Sequence, residues 1–237
     1  MLATLRRFLC KTDARARLRA IARRRSWDRS PPAGAARAAG LMGMLGKRES
    51  LLFYYLARDF LAGRGAVVDA GSFVGKSAAL LASGLRDNPV APPASRIVHC
   101  FDQFVASDGT VEYLRKRSGR DYRNGDSFRD LFEEQVSPHR GMLRVHEGDF
   151  LGVKWPGDPI EILLVDIAKS RELWRHVLEE LFPWLVPGES LVIHQDYHHA
   201  LLPHIPVVME FLHPYFELQI PCVDHSAVFL LREPVPR

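Results

Sequence analysis

The chain has 237 residues, of which 47% are hydrophobic and 25% are charged, the composition of an ordinary soluble globular protein. No apolar run approaches the ~20 residues that cross a bilayer, and the three scattered cysteines suggest neither a disulfide framework nor a zinc knuckle, so we expect a cytoplasmic protein without a membrane span. The net charge of +4 is uneven: residues 1–30 hold ten Lys or Arg and two acids, a net charge of +8, which leaves −4 on the remaining chain.

The basic N-terminal segment admits several interpretations. Its composition is that of an arm for nucleic acid or a membrane surface, and also that of an Arg-rich mitochondrial presequence. We favour a solvated helix, because a basic run alone says little about partners. Its apolar side would pack on the body through Leu5, Leu9, Leu18 and Ile21. Pro and Gly at 30–34 then break the helix, so we predict a basic helical extension and linker over 1–48 and one domain over 49–237.

After this linker, apolar segments of helical and extended type alternate along the chain. The predicted helices cover 49–61, 76–85, 128–136, 171–185 and 201–211. The predicted strands cover 66–69, 96–101, 142–147, 160–165, 190–194, 216–220 and 227–231. Because strands separated by helices pair in parallel, and because the strands are largely apolar throughout, we predict an α/β fold with helices on both faces of the sheet.

Carboxylates gather where the predicted strands end. Three of them close a strand and two lie just beyond one; in chain order the five are Asp69, Asp102, Asp149, Asp166 and Asp196. Ligands of parallel sheets bind at this carboxyl edge. Because acids along one edge repel each other unless donors or cations meet them, we predict a binding site there.

The segment VVDAGSFVGKS at 67–77 partly matches two kinds of ligand loop. A phosphate-binding P-loop needs a glycine five residues before Gly75, where the chain has Ala70, and it would place phosphates beside the charge of Asp69. The spacing agrees better with the turn that holds S-adenosylmethionine, because Gly71 allows a tight turn and Gly75 lets the next helix approach the ligand. A P-loop phosphoryl or sulfuryl transferase stays as a distant alternative.

The acids match the parts of that cofactor in chain order. Asp69 would pair with the cationic amine, or with a group that contacts it, and Asp102 would accept both ribose hydroxyls. Asp149 would accept a hydrogen bond from the adenine amine, with Phe150 and Phe104 flanking the base.

These features together resemble the class I S-adenosylmethionine-dependent methyltransferases over residues 49–231, and within them the macrocin O-methyltransferase type. The resemblance is carried by the 67–75 turn, FDQF at 101–104, Asp166 of LLVDIAKS, PGE at 187–189 and HQDY at 194–197. It implies a Rossmann-like three-layer α/β/α sandwich, with a seven-stranded, mostly parallel sheet whose last strand is antiparallel. The cofactor-binding residues that it implies are Asp69, Gly71, Ser72, Phe73, Gly75, Asp102, Gln103, Phe104, Asp149, Phe150 and Asp166.

The resemblance further implies methyl transfer, with oxygen as the favoured target, on a small-molecule or glycan-type acceptor. Nucleic acid is a disfavoured partner, because the body is net acidic and has no N-P-P-Y element of the base-flipping kind. A homodimer is left open, since related enzymes often associate. A catalytically diverged cofactor-binding or interaction module on the same fold is the alternative class of function.

Members with the full pattern hold a divalent metal through the fourth-strand aspartate and a pair of aspartates. In this chain Asp166 and Asp196 are the candidate ligands for Mg²⁺, and Gln195 replaces the other aspartate with a weaker, uncharged ligand. Lys169 would add a positive charge near such a metal. A metal-dependent and a metal-free site both stay open.

Three histidines surround Asp196 in the sequence. We predict His194, Asp196 and His198 as catalytic, because a histidine oriented by a carboxylate is a suitable base for an acceptor hydroxyl. One alternative has His194 as a core residue and His198 and His199 as the start of a surface helix. A second, weaker alternative takes His194, Asp196 and His225 as a facial triad for zinc or iron.

Two further segments are candidates for the walls of the site. The polar insertion at 103–126 predicts either a lid or a solvated helix, and its basic residues would suit an acidic acceptor. These residues are Arg115, Lys116, Arg117, Arg120 and Arg123. Residues 35–48, with Met42 and Met44, would form a second wall of the pocket.

Overall fold

The computed structural model describes residues 13–236 and contains one seven-stranded sheet. The strands are β1 (Ala66–Ala70), β2 (Val98–Asp102), β3 (Leu143–Glu147), β4 (Ile160–Val165), β5 (Leu191–His194), β6 (Phe216–Val223) and β7 (Ser226–Leu231). Their order is β3-β2-β1-β4-β5-β7-β6. The first five pair in parallel, and β7 runs antiparallel to both of its neighbours. The predicted Rossmann-like sandwich with an antiparallel last strand is therefore confirmed.

Helices cover both faces of this sheet. They are α1 (Ala14–Arg24), α2 (Ala33–Ala39), α3 (Lys47–Tyr55), α4 (Lys76–Arg86), α5 (Asp108–Ser118), α6 (Arg129–Val136), α7 (Arg171–Glu180) and α8 (His204–Phe211). Strand β4 is buried along its whole length, and its side chains alternate between two hydrophobic clusters. Ile162 faces the cluster that α4 joins through Leu80, whereas Leu163 faces the cluster that α7 joins through Trp174. This is the continuous burial of a parallel strand inside three layers.

The described part of the N-terminal extension packs against the body. Leu18 and Ile21 of α1 are buried in the same core cluster as Phe53 of α3, which confirms their predicted docking. The Arg17 guanidinium also donates a hydrogen bond to the Phe60 carbonyl, at 2.7 Å. Leu5 and Leu9 lie outside the described residues, and the division at residues 48 and 49 stays a prediction.

Several element boundaries differ from the sequence prediction. The helix expected to start at residue 49 begins at Lys47 and ends in a π-helical turn over Leu56–Phe60. The helix expected over 171–185 stops at Glu180, because a proline-containing 3-10 turn over Phe182–Trp184 follows it. The insertion at 103–126 contains α5, so its middle is helical. Among residues 13–236, no helix combines the length and the apolar character needed to cross a membrane.

Two carboxylates, of which Glu161 is buried and Asp224 is partly buried, connect distant parts of this framework. Glu161 of β4 accepts hydrogen bonds from the backbone N–H groups of residues 62–65, in the turn that leads into β1. Asp224, between β6 and β7, accepts from the backbone N–H groups of Arg48 and Glu49 at 3.1 Å each. Glu49 in turn accepts from the Ser226 hydroxyl at 2.7 Å. The last hairpin of the sheet thereby holds the start of α3.

Candidate active site

A cavity of about 790 Å³ opens at the carboxyl edge of the parallel strands. Residues after β1, β2, β3, β4 and β5 all line it. The strand order reverses at β1, which has β2 on one side and β4 on the other. Parallel sheets bind ligands at such a switch point, so the cavity lies where the sequence predicted a site.

The loop between β1 and α4 forms the floor of the cavity and requires its glycines. Gly71 has φ +101°, and a Cβ there would come within 2.9 Å of the backbone carbon of Asp166. Gly75 has φ +91°, and a Cβ would meet Val136 at 2.5 Å and Phe132 at 2.9 Å. Side chains at these positions would therefore be strained as well as crowded, which explains why both are glycine.

Asp69 lies beneath this loop and does not line the cavity. Its side chain is fully buried, and Oδ2 accepts a hydrogen bond from the Ser77 hydroxyl at 2.8 Å. Oδ1 has no hydrogen-bond partner among the described residues. Burial raises the pKa of Asp69 to about 7. Asp69 is therefore placed to support the loop from below and not to contact a ligand in the cavity.

Asp102, at the end of β2, joins two loops that line the cavity. Oδ2 accepts from the backbone N–H of Phe73 and Oδ1 from that of Phe104, both at 2.8 Å. Burial raises the pKa of Asp102, and these two donors oppose the increase. A carboxylate has about four lone-pair sites, so both oxygens can accept a further hydrogen bond from a ligand in the cavity.

The two aromatic residues predicted to flank the base lie apart. Phe150 is buried and lines the cavity next to Asp149, whose Oδ1 accepts from the Leu151 N–H at 3.0 Å. Phe104 has φ +54° and packs in the core against Phe132, with ring centroids 4.8 Å apart. Of the predicted cofactor residues, the cavity lining contains Gly71, Ser72, Phe73, Asp102, Gln103, Asp149, Phe150 and Asp166. The other three, Asp69, Gly75 and Phe104, lie behind the lining.

Two carboxylates from neighbouring strands meet at one ammonium group on the cavity wall. Lys169 Nζ lies 2.8 Å from Asp166 Oδ1 and 3.1 Å from Asp196 Oδ2. With its amide oriented to satisfy its neighbours, Gln195 donates to Oδ1 of both aspartates at 2.9 Å. Burial acts to lower the pKa of Lys169, but the two carboxylates outweigh it and raise that pKa. The lysine is therefore a fixed cation at this position.

The predicted catalytic histidines do not face the cavity. His194 is 1% exposed and stacks on Trp174 with ring centroids 4.9 Å apart, and burial lowers its pKa to about 3. His198 Nε2 is 2.7 Å from the Pro221 carbonyl, on the outer surface. His199 and His225 line the cavity instead, together with Asp196.

The alternative of a zinc or iron triad finds no support in this geometry. Within residues 13–236, no three His, Cys, Asp or Glu side chains form a group that would hold a metal, so His194, Asp196 and His225 do not make one. Nothing in the sequence favoured His199 over His198. The two residues are of the same type, and only the tertiary structure determines which side chain points into the cavity.

Both predicted outer walls of the cavity are present. Met44 belongs to a wall segment, which also includes Gly43 and Leu45, whereas Met42 packs against the core and does not line the cavity. Tyr113 of α5 holds this segment through its hydroxyl, which accepts from the Gly43 N–H at 3.0 Å. From the insertion, Val105, Ser107 and Thr110 line the cavity.

The basic residues of the insertion do not line the cavity. Arg115 pairs with Asp121, and Arg120 pairs with Asp130 and Glu134. The proposed attraction of an acidic acceptor to these cations therefore has no support from the cavity lining.

The charge of the cavity is dominated by acids. Five carboxylates and two ammonium groups line it among the described residues: Asp102, Asp149, Asp166, Glu172, Asp196, Lys76 and Lys169. Such a lining attracts a cation and repels a polyphosphate, because like charges at close range are unfavourable.

Comparisons with known proteins agree with the architecture. No protein-family model and no curated protein matches the chain. Among solved structures, the O-methyltransferase NovP is similar over 98% of this chain and 100% of its own, with a TM-score of 0.61 and 17% identity. The calicheamicin methyltransferase CalS11 is similar over 76% of each chain, with a TM-score of 0.50 and 18% identity. The chain therefore has the Rossmann-like fold of the class I methyltransferases.

Proposed function

We propose that this protein is an S-adenosylmethionine-dependent methyltransferase of the macrocin O-methyltransferase type, which methylates a hydroxyl oxygen of a small-molecule or glycan-type acceptor. The observation that carries the proposal is the excess of carboxylates around a glycine-rich turn at the carboxyl edge of the sheet. A sulfonium cofactor has two positive groups and one carboxylate, which suits such a lining. The likeness to NovP and CalS11 supports the same fold.

The lining residues account for each part of the cofactor. Asp102 would accept the ribose hydroxyls with the lone pairs that Phe73 and Phe104 leave available. Asp149 and Phe150 would hold the adenine, and the Lys76 ammonium, which lines the cavity, would pair with the carboxylate of the amino-acid portion. Asp69 supports this arrangement indirectly, by holding Ser77 at the start of α4.

When bound, the cofactor supplies a methyl group whose bond to sulfur breaks, with the electron pair left on sulfur, as the acceptor oxygen bonds to the carbon. The protein must align that oxygen and accept its proton. We assign the proton to His199, because it lines the cavity as Asp196 does, whereas His194 and His198 lie outside the lining. To take the proton, the imidazole would release the Leu201 N–H from which Nδ1 accepts at 3.3 Å. Met44 and Leu45 would cover the acceptor and exclude water.

Calorimetry tests the binding half of this proposal directly. We expect S-adenosylmethionine and S-adenosylhomocysteine to bind, and ATP with Mg²⁺ not to bind. Asp102→Ala should weaken binding of both cofactor forms at least ~100-fold, because it removes a charged acceptor and leaves two backbone N–H groups unpaired. Tight binding of ATP without binding of either cofactor form would instead favour the P-loop transferase.

A catalytically diverged cofactor-binding module is the second candidate. The observation in its favour is that Lys169 and Gln195 already occupy the aspartates that would hold a metal. Transfer of a labelled methyl group to a pool of extracted metabolites separates the two candidates. Cofactor binding without transfer to any metabolite would support the module, and a labelled product would support the enzyme.

A further inference from the structure

The carboxylates of Asp166 and Asp196 have the geometry of a cation site, and the chain supplies the cation itself. Each carboxylate comes from the end of a different strand, β4 or β5, and both lie within 3.1 Å of Lys169 Nζ. The lysine reaches them from the loop after β4, three residues beyond Asp166. One covalently attached charge therefore joins two adjacent strand ends.

A divalent metal does not fit the same residues. Mg²⁺ needs close oxygen ligands in octahedral geometry, and the two carboxylate oxygens nearest to the centre are already bound to an ammonium group. With its amide oriented to donate to both aspartates, Gln195 presents its NH₂ group and not its oxygen to that centre while Lys169 occupies it. A second cation would also be repelled by the first at a separation of a few ångströms.

We propose that the Lys169 ammonium is the resident cation of this site and takes the place of a divalent metal. This inference rests on the proposed function where it concerns the acceptor, and on geometry alone where it concerns the metal. Methyl transfer by this chain accordingly proceeds without Mg²⁺.

The number of N–H donors on the Lys169 ammonium limits which methyl acceptors it can bind. An ammonium group has three N–H donors, and two of them point to Asp166 and Asp196. The side chain is 50% exposed and lines the cavity, so the third N–H is available to an acceptor oxygen. A metal holds two neighbouring oxygens as a chelate, whereas one N–H serves a single oxygen. The matching acceptor class is therefore a lone hydroxyl or phenol, with no need for a vicinal diol.

Binding of Mn²⁺, followed by the loss of the free-ion electron paramagnetic resonance signal, tests the proposal without any acceptor. We expect wild-type protein to leave Mn²⁺ free. Lys169→Met removes the competing charge and keeps both carboxylates, so it should bind Mn²⁺ at least ~10-fold more tightly than wild type. The double variant Lys169→Met/Asp166→Asn should lose this gain. Lys154→Met, which removes a surface lysine paired with Glu180, is the matched control and should behave as wild type.

The wild-type measurement decides the outcome, so the proposal stays falsifiable even if Lys169→Met does not fold. Mn²⁺ binding by wild type that Asp166→Asn abolishes would overturn the proposal. Equal Mn²⁺ affinity of folded wild type and Lys169→Met would also overturn it.

An activity measurement adds an independent result. With any acceptor that the labelled-methyl assay identifies, we expect the same rate in EDTA and in Mg²⁺, and a loss of that rate in Lys169→Met with S-adenosylhomocysteine affinity within ~3-fold of wild type. A rate that depends on Mg²⁺ would overturn the inference. Absence of cofactor binding would contradict the proposed function and leave the Mn²⁺ result unaffected.

Discussion

Strand β4 carries a carboxylate at each end, and the two are used in opposite ways. Glu161, near its start, is 3% exposed and is surrounded by the backbone N–H groups of residues 62–65. Asp166, directly after its end, faces the cavity and is bound by the side chains of Lys169 and Gln195. Backbone donors belong to the fold itself, whereas side-chain donors can be exchanged for a ligand.

This difference separates a structural edge of the sheet, formed by the amino ends of the parallel strands around Glu161, from a binding edge, formed by their carboxyl ends around Asp166. At the structural edge, burial raises the pKa of Glu161 while the turn N–H groups oppose the increase, and every partner is part of the chain. At the binding edge the acids outnumber the cations among the lining residues. We therefore expect substitutions at the first edge to change stability alone, and substitutions at the second to change binding and catalysis.

The largest effect is expected from Glu161→Ala. It leaves four backbone N–H groups of a partly buried turn without the buried carboxylate that accepts from them, and we expect a loss of about 5 kcal/mol in the free energy of unfolding. Urea denaturation measures the loss. Glu189→Ala is the control, because Glu189 is exposed and pairs with Arg64 on the surface. A change of less than ~1 kcal/mol in Glu161→Ala would contradict the structural role of this edge.

Asp69 combines the features of the two edges: it lies at the binding edge, but it is buried and supports the β1–α4 loop instead of lining the cavity. Its pKa of about 7 is above the unfolded value of 3.8, so between these values the folded state holds a proton that the unfolded state has released. The contribution of Asp69 to the free energy of unfolding is therefore fully present below about pH 4. It decreases by at most about 4 kcal/mol as the pH rises from 4 to 7. Asp69→Asn should remove this dependence, as measured by unfolding at pH 4.5 and 7.5. An unchanged pH slope would show that Asp69 is ionised in the folded state.

Gly71→Ala tests whether the turn after β1 is mechanically linked to the end of β4. The new Cβ would press on the Asp166 backbone at 2.9 Å in a strained φ of +101°, and we expect a loss of about 3 kcal/mol with weaker cofactor binding. Gly188→Ala is the control, because it has φ +75° with nothing within 4 Å of the added Cβ. The difference between the two variants measures crowding apart from backbone strain. Equal losses would mean that the contact with Asp166 has no energetic weight.

The smallest expected effect distinguishes His199 from His198 as the catalytic base. His199→Ala should lower kcat about 100-fold with little change in stability, because it removes the base in the cavity. His198→Ala should stay within ~3-fold of wild type, because that side chain is bound to the Pro221 carbonyl outside the cavity. Steady-state kinetics on both variants decides the assignment. A larger loss in His198→Ala would restore the base that the sequence alone suggested.

Much of the framework was predictable because its determinants are local. Apolar runs identified the parallel strands, three of which an aspartate closes, and the Gly71 and Gly75 spacing identified the turn that the structure holds at positive φ. The ends of the elements were less accurate where a proline or a π-helical turn intervenes, as after Glu180 and after Tyr55.

The candidate site was less predictable because side-chain direction depends on neighbours distant in sequence. Phe104 follows Asp102 closely, yet Asp102 Oδ1 binds its N–H and the ring turns into the core. His194 ends a strand that faces the cavity, but its side chain points to Trp174 of α7. Lys169 was visible near Asp166, whereas its second partner, Asp196, comes from the next strand of the sheet. The types of residue at the site could thus be predicted from the sequence, whereas the directions of their side chains depend on tertiary contacts.

Asp224 fastens the start of α3 from a position 176 residues further along the chain. The cavity wall at 43–45 leads directly into α3, so it lacks this anchor until the β6–β7 hairpin has formed. Because chains emerge from the ribosome with the N-terminus first, a nascent polypeptide halted before Phe216 would keep the Tyr113 contact to this wall but would lack the Asp224 anchor of α3. The wall of the cavity is therefore fully anchored only after the β6–β7 hairpin has been synthesised and has paired with β5.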